Sequence, residues 1–148
     1  MSSDDVLLDA AVPGRGVCRR DAAWRARVIE AWDRQCAFCG FDGQLGVATA
    51  GLEAAHVRWH AFDGPDELDN GLSLCSLHHK LFDLGALGLT GDWAVSVSAA
   101  FTARTEAGRR TYELDGVALR PRPGTPLPAA RHVRWHRDEV FKGRRLVA

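Results

Sequence analysis

Cys36 and Cys39 stand two residues apart in Gln35-Cys-Ala-Phe-Cys-Gly40, and the same gap recurs in Cys75-Ser-Leu-His78. Two such knuckles of thiolate and imidazole donors suit a tetrahedral Cys3His zinc site, because Zn2+ favours sulfur and nitrogen and fills all four positions with protein ligands in structural sites. A lone Cys-x-x-Cys could instead be a redox pair, but such pairs sit between a strand and a helix without a second knuckle. His79 directly follows His78, so either histidine could reach a metal from the same helix. Cys18 lies outside both knuckles and reads as a free thiol.

Ligands this far apart in the chain need elements to bring them together. From Asp21, a plausible N-cap, Trp24, Val28 and Trp32 recur four residues apart, which predicts an amphipathic helix leading into the first knuckle, where Gly40 supplies the turn. Residues 52–59 read as a short strand, 60–71 as a loop marked by Asp63-Gly64-Pro65 and Asn70-Gly71, and 72–74 as a second extended piece. The spacing predicts a helix over 75–82, with Leu74, Leu77 and Leu81 on one face, Cys75, His78, His79 and Phe82 on another, and Asp83 closing it. Further on, 93–98 alternates as a strand, 112–119 resembles a hairpin with Asp115-Gly116 at its tip, and 129–142 reads as a basic helix behind the proline-rich connector 121–128. The central order is strand, loop, strand, helix. His-Val-Arg-Trp-His occurs at both 56–60 and 132–136, but the second copy lacks the surrounding Cys and Asn and reads as coincidence rather than a duplicated site.

Between and beside the knuckles stand His56, Asn70 and His79. Glu53-Ala-Ala-His56-Val, then Asp69-Asn70-Gly-Leu-Ser-Leu-Cys75-Ser-Leu-His78-His79-Lys-Leu-Phe-Asp83, resembles the HNH endonucleases. These are ββα-metal nucleases whose two strands and helix hold one catalytic divalent cation. The pattern is similar in particular to the HNH domains of modification-dependent restriction enzymes, including those that cut phosphorothioated DNA. It runs from about residue 21 to 88, and Trp135-His-Arg-Asp-Glu-Val-Phe141 also looks familial. The resemblance implies an α+β fold: a zinc-stabilised ββα-metal core with an N-terminal helix, a small antiparallel hairpin and a C-terminal helix. It implies His56 as general base, Asn70 as the residue that holds the loop and aims it, and His79 as ligand of a catalytic Mg2+ or Mn2+. Cys36, Cys39, Cys75 and His78 then hold the structural zinc. Many family members carry an acidic metal ligand directly before the base, where this chain has Ala55. Glu53 shares that strand parity and is the candidate replacement. Arg58, His60, Lys80, Arg134 and Arg137 are candidate substrate contacts, and Trp59 and Phe62 could stack on bases.

Bulk properties bound the reading. With 148 residues and 46% hydrophobic content, the chain fits one domain over 21–148, with its motif core at 36–83, behind a loosely ordered segment 1–20. No apolar run approaches the roughly 18–20 residues of a membrane span, and the acidic N-terminus lacks the features of a signal peptide, so a cytoplasmic protein is expected. Formal charge is zero, yet residues 1–100 hold 8 Lys/Arg against 14 Asp/Glu, and residues 101–148 hold 11 against 5. This basic C-terminal extension, which includes Arg131, Lys142, Arg144 and Arg145, suits the backbone of double-stranded DNA. The expected partners are DNA, a reader domain or subunit for modified DNA, and a second copy of the chain; a membrane is not among them. The competing readings are a non-catalytic zinc-stabilised DNA-binding module and a subunit active only with its reader.

Overall fold

The architecture was read from a computed structural model, which describes residues 19–146; Cys18 and the expected loose segment up to residue 18 lie outside them. The first helix, α1 (Arg19–Ala31), contains Asp21 in its first turn rather than at its cap. Its Trp24, Val28 and Trp32 are buried, and they form the layer on which the central hairpin rests. That hairpin pairs β3 (Leu52–His56) with β4 (Gly71–Cys75) in antiparallel register, Leu52 opposite Cys75 and His56 opposite Gly71. Gly71 leaves room for α1: a Cβ there would lie 2.6 Å from Val28 Cγ2 and 2.9 Å from Trp24 Cζ2.

Before the hairpin, two-residue strands β1 (Gln44–Leu45) and β2 (Ala48–Thr49) pair around Gly46. The helix α2 (Ser76–Asp83) leaves β4 without a linker, and the Cys75 side chain caps it by accepting from His78 N. Phe82 is fully buried beneath it, whereas Leu77 is 60% exposed. Of the two faces read from the sequence, the side bearing Cys75, His78 and Phe82 is therefore the one that turns inward. Asp83 is the last helical residue.

The remainder braces this unit. β5 (Leu87–Leu89) pairs with β6 (Val95–Val97), a hairpin whose first strand the periodicity did not indicate. The hairpin expected at 112–119 is corrected. Residues Arg110–Leu114 form a 3-10 turn after the short α3 (Glu106–Arg109). Here Tyr112 Oη donates to Phe101 O and accepts from Ala103 N, the Asp115 carboxylate accepts from Val97 N, and residues 116–119 bond by backbone to residues 93–95, so the segment runs against an earlier strand instead of folding back on itself. The final helix, α4 (Ala130–Glu139), is shorter than 129–142. The two His-Val-Arg-Trp-His copies differ in kind: the first ends a strand and enters a loop, and the second lies within α4. Among the described residues no helix is long and apolar enough to cross a membrane.

Candidate metal centres and catalytic cleft

Three clusters of metal-ligating side chains surround the β3–β4–α2 unit. The first joins the two knuckles. The loop after α1 is anchored to β4 by Ala37 N donating to Ser73 O at 2.6 Å, which holds Cys36 and Cys39 against the strand that ends in Cys75. Cys39 Sγ lies 4.0 Å from Cys75 Sγ, and His78 Nδ1 lies 3.3 Å from Cys75 Sγ and 3.8 Å from Cys36 Sγ. A tetrahedron with Zn–S bonds of about 2.3 Å has S···S edges of about 3.8 Å, so these donors fit zinc, whereas a disulfide needs about 2.05 Å. All four ligand atoms lie within 4.8 Å of one another. Hydrogen bonds from Cys39 and Cys75 push the Cys36 thiol pKa down, as expected of a group that serves as a thiolate. Burial lowers the His78 pKa, but its cysteine neighbours outweigh that and lift it to about 9.

The second cluster surrounds His79. Its Nδ1 lies 2.6 Å from Glu53 Oε1 and its Nε2 lies 3.3 Å from Asp83 Oδ2. Ser76 Oγ donates to the other Glu53 oxygen at 3.1 Å. Glu53 thus points from β3 across to α2. Ala55 is only 1% exposed, so the position before His56 is core and offers no ligand. Burial lowers the His79 pKa, yet the carboxylates of Asp83 and Glu53 overcome it and raise it to about 9. The same contact with His79 holds the Glu53 carboxyl below its ordinary value. Two carboxylates around one imidazole concentrate negative charge where a divalent cation could replace the imidazolium proton, a donor set suited to Mg2+ or Mn2+ through its oxygens.

The third cluster lies at the end of β3. His56 Nε2 is 2.7 Å from Asp66 Oδ1, its ring stacks on Trp24 at 4.2 Å and 17°, and the His60 ring lies 6.0 Å away. Burial lowers the His56 pKa below its ordinary value, and Asp66 only partly opposes this. The imidazole is therefore neutral at pH 7. Because the Asp66 carboxyl is itself held low, it is ionised and accepts, so Nε2 carries the proton and the Nδ1 lone pair is free.

The loop that carries Asp66 back to His56 is closed by Asn70, which is fully buried. Its Oδ1 accepts from Arg58 N at 2.8 Å, and its Nδ2 donates to Arg58 O and Pro65 O at 3.0 Å each. Asn70 thus grips the backbone on both sides of the loop, not the imidazole. Gly64 is required at the crossing, where a Cβ would lie 1.7 Å from Arg58 O. The sequence reading missed Asp66. Its only local signal is its place directly after Pro65, at the return of a loop that begins at a candidate base.

The candidate substrate contacts divide. Arg58 Nε donates to Phe62 O at 2.6 Å and its guanidinium lies over Trp135, so it belongs to an aromatic group with Trp59 and Phe62. His60 is exposed at the loop's outer edge, Lys80 is exposed on α2, and Arg134 and Arg137 are exposed on α4. Arg145 differs from its expected role: it forks onto Asp115 with Nε and Nη2 at 3.0 and 2.9 Å and ties the C-terminus to the fold.

Comparisons with known proteins bear on this arrangement. Residues 36–90 match the family model described as HNH endonuclease. Among solved structures, the chain is similar to a modification-dependent TagI restriction endonuclease, with 27% identity and a TM-score of 0.64. The similarity covers 82% of this chain and 38% of that one, so this chain corresponds to well under half of the restriction enzyme's length. No curated protein matches.

Proposed function

We propose that this chain, whose residues 36–90 match the HNH endonuclease family model, is a metal-dependent DNA endonuclease whose base is His56. The observation that carries the reading is an imidazole held by a carboxylate at the end of β3, in the same β3–β4–α2 unit as a second imidazole, on α2, bracketed by two more carboxylates. His56 Nδ1 accepts a proton from water, whose oxygen then attacks phosphorus as the P–O bond to the leaving oxygen breaks. Asp66 keeps the required tautomer, Trp24 holds the ring's plane, and Asn70 keeps the loop shut. Glu53 and His79, with Asp83 behind, would hold the divalent cation. When bound it supplies charge stabilisation for the phosphoryl and leaving oxygens. The Cys3His cluster would hold zinc as a structural brace, fixing the start of α2 and therefore His79.

Restriction of modified or foreign DNA is the biological role we infer, from the name of the structural neighbour and from the endonuclease family. Since this chain corresponds to a fraction of that neighbour, recognition of the modification would come from a linked segment, a separate reader or a second copy. The exposed Arg134 and Arg137 would contact the DNA backbone, with Arg58, His60 and Lys80 as further candidate contacts. A non-catalytic binding module was favoured by the missing acidic residue at Ala55. Glu53 reaching His79 supports the enzymatic reading instead.

The deciding experiment is cleavage of supercoiled plasmid, unmodified and phosphorothioated, with Mg2+, Mn2+ or EDTA, comparing wild type with His56→Ala. Metal-dependent relaxation or linearisation, reduced at least 100-fold in the variant, is the expected result. DNA binding with no cleavage of either substrate would return the weight to a binding module.

A further inference from the structure

We propose that His56, His60 and Asp66 form a third metal site, inhibitory and suited to a late first-row divalent cation such as Ni2+ or Zn2+. One ligand atom from each of the three lies within 4.8 Å of the others, without any movement of the backbone. The donors come from three consecutive pieces: the end of β3, the 3-10 turn His60–Phe62, and the returning loop after Pro65. Asn70 and the tight crossing at Gly64 hold these pieces together, so the site is organised before an ion arrives. Two imidazoles and one carboxylate favour nickel or zinc over Mg2+, which prefers oxygen and water. His60 is exposed, and the His56 side chain keeps 24% of its surface accessible, so an ion and its remaining waters have an entry path.

Occupation would change the chemistry of His56. In the free site Nε2 carries the proton toward Asp66, and Nδ1 has the lone pair. An ion taken by Nε2 displaces that proton, and the neutral ring then carries its one proton on Nδ1. Both ring nitrogens are used, and the ring has no lone pair for a proton from water. Metal capture here and proton acceptance by His56 are mutually exclusive. This inhibitory half rests on His56 as the base; the binding half does not.

Calorimetric titration with Ni2+ of protein carrying one equivalent of Zn2+ tests the binding half, using wild type, His60→Ala, Asp66→Ala and His79→Ala. Saturable binding that weakens at least tenfold in the first two variants and persists in His79→Ala is expected. His60 is exposed, so its removal spares the core. Equal binding in wild type and His60→Ala, or loss of binding in His79→Ala alone, would overturn the site. Plasmid cleavage in excess Mg2+ with increasing Ni2+ tests the inhibitory half. The inhibition midpoint should follow the calorimetric one and rise at least tenfold in the residual activity of His60→Ala. An unchanged midpoint refutes inhibition through this site. Nickel binding with no cleavage under any condition would refute the nuclease reading and leave the site standing.

Discussion

The ring of His136 lies flat on the ring of Phe82, with centroids 3.9 Å apart and planes within 7°, and its Nε2 donates to the carbonyl of the same Phe82 at 2.9 Å. One side chain of α4 thus grips both the ring and the backbone near the end of α2, the helix that carries His78 and His79. His136 Nδ1 is buried without a partner, so the neutral Nε2–H tautomer is the one that fits. Burial pushes its pKa down to about 4. Between pH 6.5 and about 4 the unfolded chain binds a proton that the folded chain refuses. The stability contribution is complete above 6.5 and falls with pH, by roughly 3 kcal/mol once pH 4 is passed. Thermal unfolding of wild type and His136→Gln across pH 4 to 7 checks this. The glutamine variant should lose distinctly less stability on acidification, and parallel curves would show that His136 does not carry the effect.

Zinc removal should be the most damaging single change. Cys75 would close the proposed Cys3His tetrahedron, and it ends β4 and caps α2, so losing it would remove a ligand and a helix cap together. Structural zinc sites supply on the order of 10 kcal/mol or more. A strong chelator at neutral pH is expected to abolish the cooperative thermal transition, and added Zn2+ should restore it. Cys39→Ser keeps three ligands and the cap, so it should retain a lower transition, whereas Cys75→Ser should show none. Elemental analysis should find close to one zinc per wild-type chain. A chelated protein that melts as before would refute the structural role.

What could be read in advance follows from the range of the forces involved. The knuckles were legible because ligand spacing is local and metal geometry tolerates few gaps. So were α1 and the β3–β4–α2 order, whose burial follows simple periods. Glu53 was reachable through strand parity, and the structure brings it to His79. Asp66 was hidden because its partnership with His56 depends on a loop that crosses itself at Gly64, a contact with no period. Asp115-Gly116 does mark a turn, but the Asp115 side chain is committed to Val97 and Arg145, and a turn signal carries no information about such distant partners.

Glu53 and Asp83 should not be equivalent. Glu53 lies closer to His79 and also bonds Ser76, whereas Asp83 lies one helical turn away at 3.3 Å. If the catalytic cation sits on Glu53 and His79, Glu53→Gln should reduce cleavage by about 100-fold or more and raise the Mg2+ concentration for half-maximal rate. Asp83→Asn should cost about tenfold or less, through the orientation of His79. The cation-free protein has a linked pH signature. His79 is raised to about 9, so its pairing stabilises fully below 6.5 and is lost as pH rises through 9. Metal titrations of the rate for both variants decide the matter, and equal losses with unchanged Mg2+ dependence would place the cation elsewhere.

Asp66→Asn separates the proposed base, His56, from its support. Asp66 opposes the burial that lowers the His56 pKa, so removing its charge should lower that pKa further. The base works in its deprotonated form, and the acid limb of the rate profile should therefore move to lower pH in the variant. The plateau should nevertheless fall, on the order of 10- to 100-fold, because an amide can turn its NH2 toward Nε2 and favour the wrong tautomer, and because a weaker base accepts a proton less readily. Residual activity extending into more acidic buffer at a lower plateau is a pattern that a merely destabilised protein would not produce. The check is a pH–rate profile under saturating Mg2+, with circular dichroism confirming the fold at each pH. An acid limb that stays in place would mean that Asp66 does not act through His56.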